Sequence, residues 1–408
     1  MFIDINEAFN TIAHLDNIKL NQKTKENVFK KAVITHWLHG EIPNAWANKE
    51  TQRHWCDCLG FDKKPIVIYS AVPFPPIPVN VTPQFRFIDL FAGIGGFRIA
   101  LQELGGKCVF SSEWNAAAQQ TYFRNFGEFP FGDIREFTST EVSDQRLKKL
   151  IPDHEILAAG FPCQPFSHAG VSARSSIGKS HGFECKTQGT LFFDICRIVK
   201  EKEPKVLFLE NVKNLQSHDS GRTFDTIKES IDKLGYDFSS DVIDASCEVP
   251  QHRERCYMVC FRKELKIKFE FPKFPDKKKK LKEILEDNVS EKYTISDRLW
   301  KGHIDRSARN VARGTGFTAY AVDLNRPSNT LVARYGKDGK ECLIPQDGKN
   351  PRMLTPRECA RLQGFHEKFI FPDARTPAYH QFGNAVVVPV IRKIAYTIVQ
   401  QLNNKKGE

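Results

Sequence analysis

From Arg86 onward, short apolar runs alternate with stretches whose apolar positions repeat at helical spacing. The strand-like runs are FRFIDLF, KCVFSSEW, HEILAAGFP, KVLFLENV and RCYMVCF. The helix-like stretches between them are RIALQELGG, NAAAQQTYFRNF and FDTIKESIDKLG. Strands that alternate with helices indicate βαβ units and a mostly parallel sheet. The pattern therefore predicts an α/β fold.

The first 71 residues carry a helical pattern of their own and read as a separate piece. Apolar residues recur with helical period before Gly40, which is placed to end that helix; they are Val28, Phe29, Ala32, Val33, Trp37 and Leu38. Pro43 is placed to begin another helix, with Trp46 and Trp55 as buried aromatics. The stretch 72–83 has five prolines in twelve residues, which fits neither a helix nor a central strand. We expect a helical extension over 1–71 and an extended linker over 72–83.

The alternation of strands and helices stops near residue 271. DKKKKLKEILED is lysine-rich and helical in pattern, and 301–350 is rich in Gly, Arg, Asn and Asp with short strand-like runs, NTLVARY and ECLIP. This change predicts a main domain over 84–271, a smaller domain inserted over 272–375, and a return of the chain to the main domain over 376–408.

Composition and charge narrow the class of protein. The chain has 408 residues, with 60 Lys and Arg against 49 Asp and Glu, a formal net charge of +11. This balance favours a polyanionic partner, nucleic acid first, although surplus lysines can simply be solvated. No stretch approaches the roughly 20 apolar residues that cross a bilayer, and the start lacks a signal-peptide pattern. We expect no membrane contact, a cytoplasmic location, and eleven cysteines kept as thiols.

A glycine-rich turn, Asp89 to Gly96, follows the first strand of the main domain and opens a helix. Small residues there let a ligand approach the backbone, but the spacing does not give the G-x-G-x-x-G of a dinucleotide site. Glu113 and Asp133 stand at the ends of the next two strands. Taken alone, each acid is better interpreted as a helix N-cap or a surface carboxylate. Three successive strand ends together favour a nucleoside site.

Cys163 lies between two prolines in GFPCQPFS, directly after a buried strand. Pro162 and Pro165 restrict the backbone, which suits a positioned nucleophilic thiolate at the ligand-binding edge of the sheet. The alternative is an inert buried cysteine. That reading applies to four others in apolar runs: Cys108, Cys196, Cys256 and Cys260. Cys56 and Cys58 with His54 have no second ligand pair, so we predict no metal site.

Glu210 ends a later strand and should reach the same edge of the sheet as Cys163. A carboxyl beside a nucleophilic thiol suggests proton donation to a substrate ring. Arg253 and Arg255, in QHRER before the next strand, should lie by the same cleft. Their alternative role is phosphate or surface ion pairing.

Six motifs in this order resemble the signatures of the bacterial cytosine-5 DNA methyltransferases of restriction-modification systems, over about Phe85 to Val390. They are FIDLFAGIGGFR, GFPCQPFS, LENVKNL, QHRERCYMV, RMLTPRECARLQGF and YHQFGNAVVVPV. The resemblance implies a Rossmann-like methyltransferase sheet that uses S-adenosylmethionine and no metal. It also implies that 272–375 is a target-recognition domain.

The resemblance also implies roles for individual residues. Glu113 would hold the ribose and Trp114 would lie against the adenine, and Ala385 stands where relatives often carry serine. The full set expected around S-adenosylmethionine is Asp89, Phe91, Ala92, Gly93, Ile94, Gly95, Gly96, Glu113, Trp114, Asp133, Ile134, Pro162, Leu191, Asn384, Ala385 and Val386.

In the implied reaction, a cytosine is flipped out of duplex DNA and Cys163 adds to its C6. Glu210 would donate to or hydrogen-bond N3, and Arg255, with Arg253 beside it, would stabilise charge at O2. C5 could then take a methyl group, and loss of its proton and of Cys163 would restore the ring. The enzyme would act as a monomer on its substrate.

DNA contacts are expected from the serine-rich loop after Cys163 and from the inserted domain. Most of these residues are better candidates for phosphate contact than for base reading. They are Gln164, Ser167, Ser172, Arg174, Lys179, Arg313, Thr330, Arg334, Tyr335, Lys337 and Lys340. EKYTISDRLW, ARGTGF and TLVARYGKDGKECLI resemble enzymes that methylate the inner cytosine of CCWGG, CCNGG or CCGG, so we expect a CC…GG target.

Alternative functions remain for the whole chain and for its extension. An RNA cytosine-5 methyltransferase could share the fold. A non-catalytic DNA-binding regulator is disfavoured because Cys163, Glu210 and Arg255 are all present. The extension 1–71 could bind operator DNA as a helix-turn-helix, or it could be a packing subdomain.

Overall fold

The computed structural model describes residues 2–15, 25–78, 80–162, 191–314 and 320–406. The N-terminal elements are β1 (Phe2–Asp4), α1 (Ile5–Leu15), α2 (Lys25–His39), α3 (Lys49–Cys58) and β2 (Ile66–Ile68). Then follow β3 (Phe85–Leu90), α4 (Gly96–Glu103), β4 (Gly106–Ser112), α5 (Ala116–Phe126), α6 (Arg135–Thr138), α7 (Asp144–Leu150), β5 (Ile156–Gly160), α8 (Leu191–Lys202), β6 (Val206–Val212), α9 (Arg222–Lys233), β7 (Tyr236–Asp244) and β8 (Glu254–Arg262). The last elements are α10 (Asp297–Ala312), β9 (Leu343–Gln346), β10 (Lys349–Met353), α11 (Pro356–Leu362), α12 (Arg375–Asn384) and α13 (Val388–Lys406).

Six strands form the central sheet in the order β4-β3-β5-β6-β8-β7. β4, β3, β5 and β6 run parallel, whereas β8 is antiparallel to both β6 and β7. The first four residues of β5 are all buried, as expected of a parallel strand covered on both faces. The mostly parallel sheet predicted from the sequence is confirmed.

Alternate residues of each strand enter two separate cores, because successive side chains point to opposite faces of a sheet. Phe87, Ala158 and Phe208 pack with α4 and α13 on one face. Ile88 and Leu157 pack on the other face with α8 and with the N-terminal helices. The sheet is therefore buried only when helices cover both of its faces.

The helices of the N-terminal extension pack into this second core, against one face of the sheet. Trp37 is buried, and the Trp46 indole donates from Nε1 to Leu150 O at 2.7 Å while its ring lies 4.8 Å from that of Phe131. The helix expected at Pro43 begins instead at Lys49, because Asn48 Oδ1 accepts from Thr51 N at 2.8 Å and caps it.

The proline-rich stretch 72–83 contains no helix or strand among its described residues, as predicted, but it is not a free spacer. Phe74 is buried, and its N–H donates to Asn125 O at 2.9 Å. Gln102 Nε2 donates to Pro75 O at 2.5 Å. These contacts bind the stretch along α4 and α5.

The inserted region 272–375 differs from its predicted elements in two places. NTLVARY forms no ladder strand; its neighbour Ser328 makes a single parallel bridge with Gln251. DKKKKLKEILED forms only a 3₁₀ turn over Leu281–Ile284, because the four lysines are exposed and offer no apolar face to bury. ECLIP does contribute a strand, β9, which pairs antiparallel with β10.

The stretch Arg375–Asn404 is, by length and composition, apolar enough to cross a membrane. In the structure this stretch is interrupted between α12 and α13, and Val390, Ile394 and Ile398 of α13 are buried against the sheet. Its apolar character therefore comes from a helix of the protein core.

We expect Gly383→Ala to destabilise the fold, because a Cβ on Gly383 would lie 2.3 Å from both Val332 C and Ala333 N. Overpacking of this kind costs about 1–3 kcal/mol, which urea unfolding would measure. Gly302→Ala in α10 is the matched control, since open space surrounds it. That variant should be neutral or stabilised by up to about 1 kcal/mol. Equal unfolding midpoints for the two variants would contradict the packing described.

Candidate active site

A cleft of about 1490 Å³ opens at the carboxyl edge of the parallel strands. Phe91, Glu113 and Pro162, which follow β3, β4 and β5, line it together with Glu210, which lies within β6 rather than at its end. This is the edge at which open α/β sheets bind ligands. The predicted convergence of strand ends at one site is therefore present.

The glycine turn between β3 and α4 is held in a tight conformation. Phe91, Gly93 and Gly95 have φ of 55°, 54° and 88°, in the left-handed region that favours glycine. A Cβ on Gly95 would also lie 2.3 Å from the ring of Phe126. Gly95 therefore serves packing, and Phe91, Gly93, Ala92, Ile94 and Gly96 line the cleft.

Glu113 closes the turn from the neighbouring strand. Its Oε2 accepts from Gly93 N at 2.8 Å and its Oε1 from Asn115 N at 2.7 Å. Burial raises the pKa of Glu113, and these backbone N–H groups act in the opposite direction. A fixed carboxylate with spare lone pairs facing a cleft can accept from two adjacent hydroxyls. The next residue, Trp114, leaves 76% of its area exposed at the mouth.

Asp133 lines the cleft. The expectation that it ends a strand of the main sheet is wrong. Only a single parallel bridge, Ser112 to Phe131, precedes it. Its carboxylate pairs with Arg135, whose Nε lies 3.0 Å from Oδ1 and 2.9 Å from Oδ2. Arg135 also lines the cleft and was missed, although it stands two residues after a predicted site acid. Ile134 is buried between them.

Glu210 and Arg255 form an ion pair deeper in the same cleft. Arg255 Nε lies 3.1 Å from Glu210 Oε1, and both side chains are largely buried. Burial raises the pKa of Glu210, while Arg255 and Arg253 oppose that rise. A carboxyl in this environment is suited to holding or donating a proton. Arg255 lies within β8, one residue after the strand begins, rather than before it.

Arg253 is buried, and its two terminal nitrogens donate to main-chain carbonyls, whereas its buried Nε has no hydrogen-bond partner among the described residues. Nη1 donates to Leu331 O at 2.8 Å, and Nη2 donates to Gly383 O at 3.0 Å and Ala385 O at 2.8 Å. Arg253 also lines the cleft, so its catalytic role stays a prediction beside the positioning role that these contacts indicate. Arg253 joins the start of β8 to the inserted region and to the segment after α12.

The late segment Asn384 to Val386 returns to the cleft, as the motif order implied. All three of its residues line the cleft, and a Cβ on Gly96 would lie 2.6 Å from Val386 Cγ2. This close approach packs the late segment directly onto the glycine turn.

Asp89 is fully buried beneath the turn and does not line the cleft. Burial raises the pKa of Asp89 to about 8, against the influence of Arg98, so it is a core acid rather than a ligand contact.

Six predicted residues lie outside the described part of the chain. Pro162 and Leu191, which flank that gap, both line the cleft. The nucleophile and the loop contacts therefore stay predictions; they are Cys163, Gln164, Ser167, Ser172, Arg174 and Lys179.

The predicted DNA contacts in the inserted region lie outside the cleft lining. Arg313, Arg334 and Lys337 are exposed and remain candidates, as does half-buried Lys340. Thr330 Oγ1 donates to His252 O at 2.5 Å. For Tyr335 the prediction is wrong, because its side chain is fully buried. The Tyr335 hydroxyl donates to Cys342 O at 2.6 Å and accepts from Leu354 N at 2.8 Å.

Sequence reasoning also missed Asn211 and Gln381, which line the cleft. Asn211 Nδ2 donates to Phe161 O at 2.9 Å and so fixes the backbone just before Pro162. Its place beside Glu210 in LENV was the available signal. No local signal marks Gln381, whose Nε2 donates to Ala117 O at 3.0 Å across the fold.

The cysteines predicted to be inert are buried in the structure. Burial raises the pKa of Cys108 and of Cys256 to about 12, which disfavours the reactive thiolate. Within the described ranges, no group of three or more His, Cys, Asp or Glu side chains is arranged to hold a metal ion.

Comparisons with known proteins agree with this geometry. The chain is 46% identical over 380 residues to the type II methyltransferase M.SsoII of Shigella sonnei, covering 87% of this chain and 95% of that protein. It is 41% identical over 414 residues to the DNA-cytosine methyltransferase of Escherichia coli K12, covering 88% and 86%.

Solved structures share the fold at low identity. The Dnmt2 methyltransferase of S. pombe aligns with a TM-score of 0.59 at 16% identity, over 78% of this chain and 98% of that one. The Entamoeba histolytica methyltransferase EhMeth aligns with a TM-score of 0.58 at 21% identity, over 79% and 99%.

A family model described as C-5 cytosine-specific DNA methylase matches residues 85–400, which include the glycine turn, Glu210 and the late segment. The chain therefore belongs to the C-5 cytosine-specific DNA methylase family.

Proposed function

We propose that this enzyme methylates C5 of a specific cytosine in duplex DNA through a covalent bond between Cys163 and C6. The observation that carries the proposal is the buried Glu210–Arg255 pair, which shares one cleft with the nucleoside-type site at Glu113 and borders Pro162. The names of the relatives, type II methyltransferase M.SsoII and the E. coli DNA-cytosine methyltransferase, support methylation of cytosine in DNA.

The residues around the glycine turn fit S-adenosylmethionine, whose use the family implies. The exposed indole of Trp114 offers a face for the adenine, and Glu113 offers a carboxylate for the ribose hydroxyls. Small residues at Gly93 and Gly96 leave room beside the backbone. When bound, S-adenosylmethionine supplies an electrophilic methyl group.

The chain's own residues activate the cytosine ring. The Cys163 thiolate adds to C6, and the electron pair of the C5–C6 double bond moves toward N3 and O2. Glu210 supplies a proton or a hydrogen bond to N3, and Arg255 stabilises negative charge at O2. C5 becomes nucleophilic enough to accept a methyl group. The C5 proton then passes to solvent water, the C5–H electron pair re-forms the C5–C6 double bond as Cys163 leaves as a thiolate, and any proton held at N3 returns to Glu210, which restores the aromatic ring.

Arg253 supports this chemistry indirectly. It ties the start of β8, which carries Arg255, to Leu331 of the inserted region and to Ala385 beside the cofactor pocket. The inserted region is proposed to recognise DNA, so Arg253 connects recognition with both halves of the site. We further propose that the enzyme works in the bacterial cytoplasm as a monomer, within a restriction-modification system or as an orphan methylase.

Glu113→Gln should weaken cofactor binding, because an amide offers one acceptor oxygen where the carboxylate accepts from both Gly93 N and Asn115 N. We expect the Kd for S-adenosylhomocysteine to rise about tenfold or more, as loss of a buried charged hydrogen bond suggests. Calorimetry would measure it, with exposed Glu229→Gln as the control. An unchanged Kd would remove Glu113 from the site.

Cys163→Ala should abolish both methylation and covalent trapping by a duplex that carries 5-fluorocytosine, since no thiolate remains to attack C6. The adduct would be followed by denaturing gel electrophoresis, with DNA binding measured in parallel. Cys58→Ala, a thiol on the N-terminal helix α3, should trap like the parent enzyme. A covalent adduct in Cys163→Ala would disprove the nucleophile assignment.

The target is expected to begin CC and end GG, with methylation on the inner cytosine. Bisulfite sequencing of DNA from an expressing host would map it. Methylation confined to another sequence context would reject the CC…GG site while leaving the reaction intact. Competition between duplex DNA and tRNA addresses the RNA alternative, and preferential methylation of tRNA would overturn the choice of DNA.

A further inference from the structure

A buried charge cluster joins the N-terminal extension to the helix that opens at the glycine turn. Glu128 lies between Arg98 and His39: Arg98 Nη1 is 2.5 Å from its Oε2, and His39 Nδ1 is 2.5 Å from its Oε1. Arg98 is in α4, His39 is the last residue of α2, and all three side chains are at most 4% exposed. The cluster lies apart from the cleft lining.

Arg98 connects this cluster to the glycine turn through aromatic packing. Its guanidinium carbon lies 4.6 Å from the centroid of Phe126, and its Nη1 donates to Tyr122 Oη at 3.3 Å. The same Phe126 ring occupies the space that a side chain at Gly95 would need. The position of Arg98 therefore affects the Phe126 ring on which the turn is packed.

The charges of the cluster depend on one another. Although burial opposes ionisation, Arg98 and His39 hold the pKa of Glu128 well below its usual range. Burial lowers the pKa of His39, and Glu128 opposes that change. A buried carboxylate that loses one of its partners is strongly unfavourable. Removing His39 should therefore make the Glu128 carboxylate and Arg98 adjust their positions.

The backbone around Glu128 is also bound to the extension. Phe129 N donates to Thr35 Oγ1 at 3.0 Å, and the Tyr69 ring lies edge-on to His39 at 5.1 Å. His36 packs on Phe131 at 5.2 Å. The segment that follows α5 is thus held by α2 through the His39–Glu128 contact, the Phe129–Thr35 hydrogen bond and ring contacts.

We propose that His39 and Glu128 are positioning residues for the glycine turn between β3 and α4. The N-terminal extension is then an integral part of the structure that binds the cofactor. This inference rests on the proposed function only where it takes the ligand to be S-adenosylmethionine. It assigns the extension a role in catalysis that is independent of any binding to operator DNA.

The experiment uses the full-length protein with His39→Phe, which keeps an aromatic ring but removes the nitrogen that contacts Glu128. We expect the Kd for S-adenosylhomocysteine to rise about tenfold, the size of one lost charged hydrogen bond, while affinity for duplex DNA stays within about twofold. In the ligand-free protein, amide hydrogen exchange over residues 91–98 should become faster.

Two further variants separate positioning from general destabilisation. His39→Gln can still donate to Glu128 and should recover most of the affinity. Glu103→Gln removes an exposed ion pair from the same helix α4, where Arg392 Nη1 lies 3.1 Å from Glu103 Oε2. That control should leave both the Kd and the exchange at the turn unchanged.

Parent-like exchange over 91–98 in folded His39→Phe would overturn the proposal, as would the same loss of affinity in Glu103→Gln. If the parent protein itself failed to bind S-adenosylhomocysteine, the proposed function would fail instead. The exchange measurement would then still test the link between His39 and the turn.

Discussion

The site depends on how closely three parts of the chain pack around the glycine turn after β3. Phe126 lies against Gly95, Val386 lies against Gly96, and Glu113 accepts the N–H of Gly93. Each contact requires the absence of a side chain or a particular backbone conformation, and so tolerates little displacement. The turn therefore fixes the start of α4, the acid after β4 and the late segment in one arrangement.

Two buried glutamates illustrate how environment divides one residue type into two roles. Glu210 lies at the cleft, where burial raises its pKa and Arg255 lies at 3.1 Å, so proton exchange with a substrate is available. Glu128 lies between Arg98 and His39, away from the cleft, and stays ionised as a structural anion. Access to the cleft separates the chemical role proposed for Glu210 from the positioning role proposed for Glu128.

The inserted region and the catalytic sheet are joined more closely than two ordinary domains. Gly383 packs against the backbone at Val332 and Ala333, and Arg253 donates both to Leu331 of the insert and to Ala385 of the late segment. Small shifts of the insert must therefore be felt at the cleft, because no flexible side chain separates the two backbones. Under the proposed function, in which the insert recognises DNA, these contacts are a direct physical route from recognition to the cleft.

The sequence by itself determined the alternation of strands and helices, the glycine turn, and the place of Glu113 directly after β4, because these features are expressed in local periodicity and in strand ends. It also indicated that Glu210 reaches the cleft, although β6 continues two residues beyond it. The family and the use of S-adenosylmethionine were inferred from six motifs in the family's order. Local patterns register burial but not the partner that buries a residue. The pattern of NTLVARY therefore predicted a strand that does not form. Tyr335 was predicted to contact DNA, whereas the Tyr335 hydroxyl donates to Cys342 O within the core.

Only the tertiary structure decided the place of the N-terminal extension, the use of Arg253 and the partners of Glu128. Their contacts join residues far apart in sequence: His39 to Glu128, Trp46 to Leu150, and Arg253 to Ala385. No periodicity records such pairs, because each forms only when the sheet brings separate segments together.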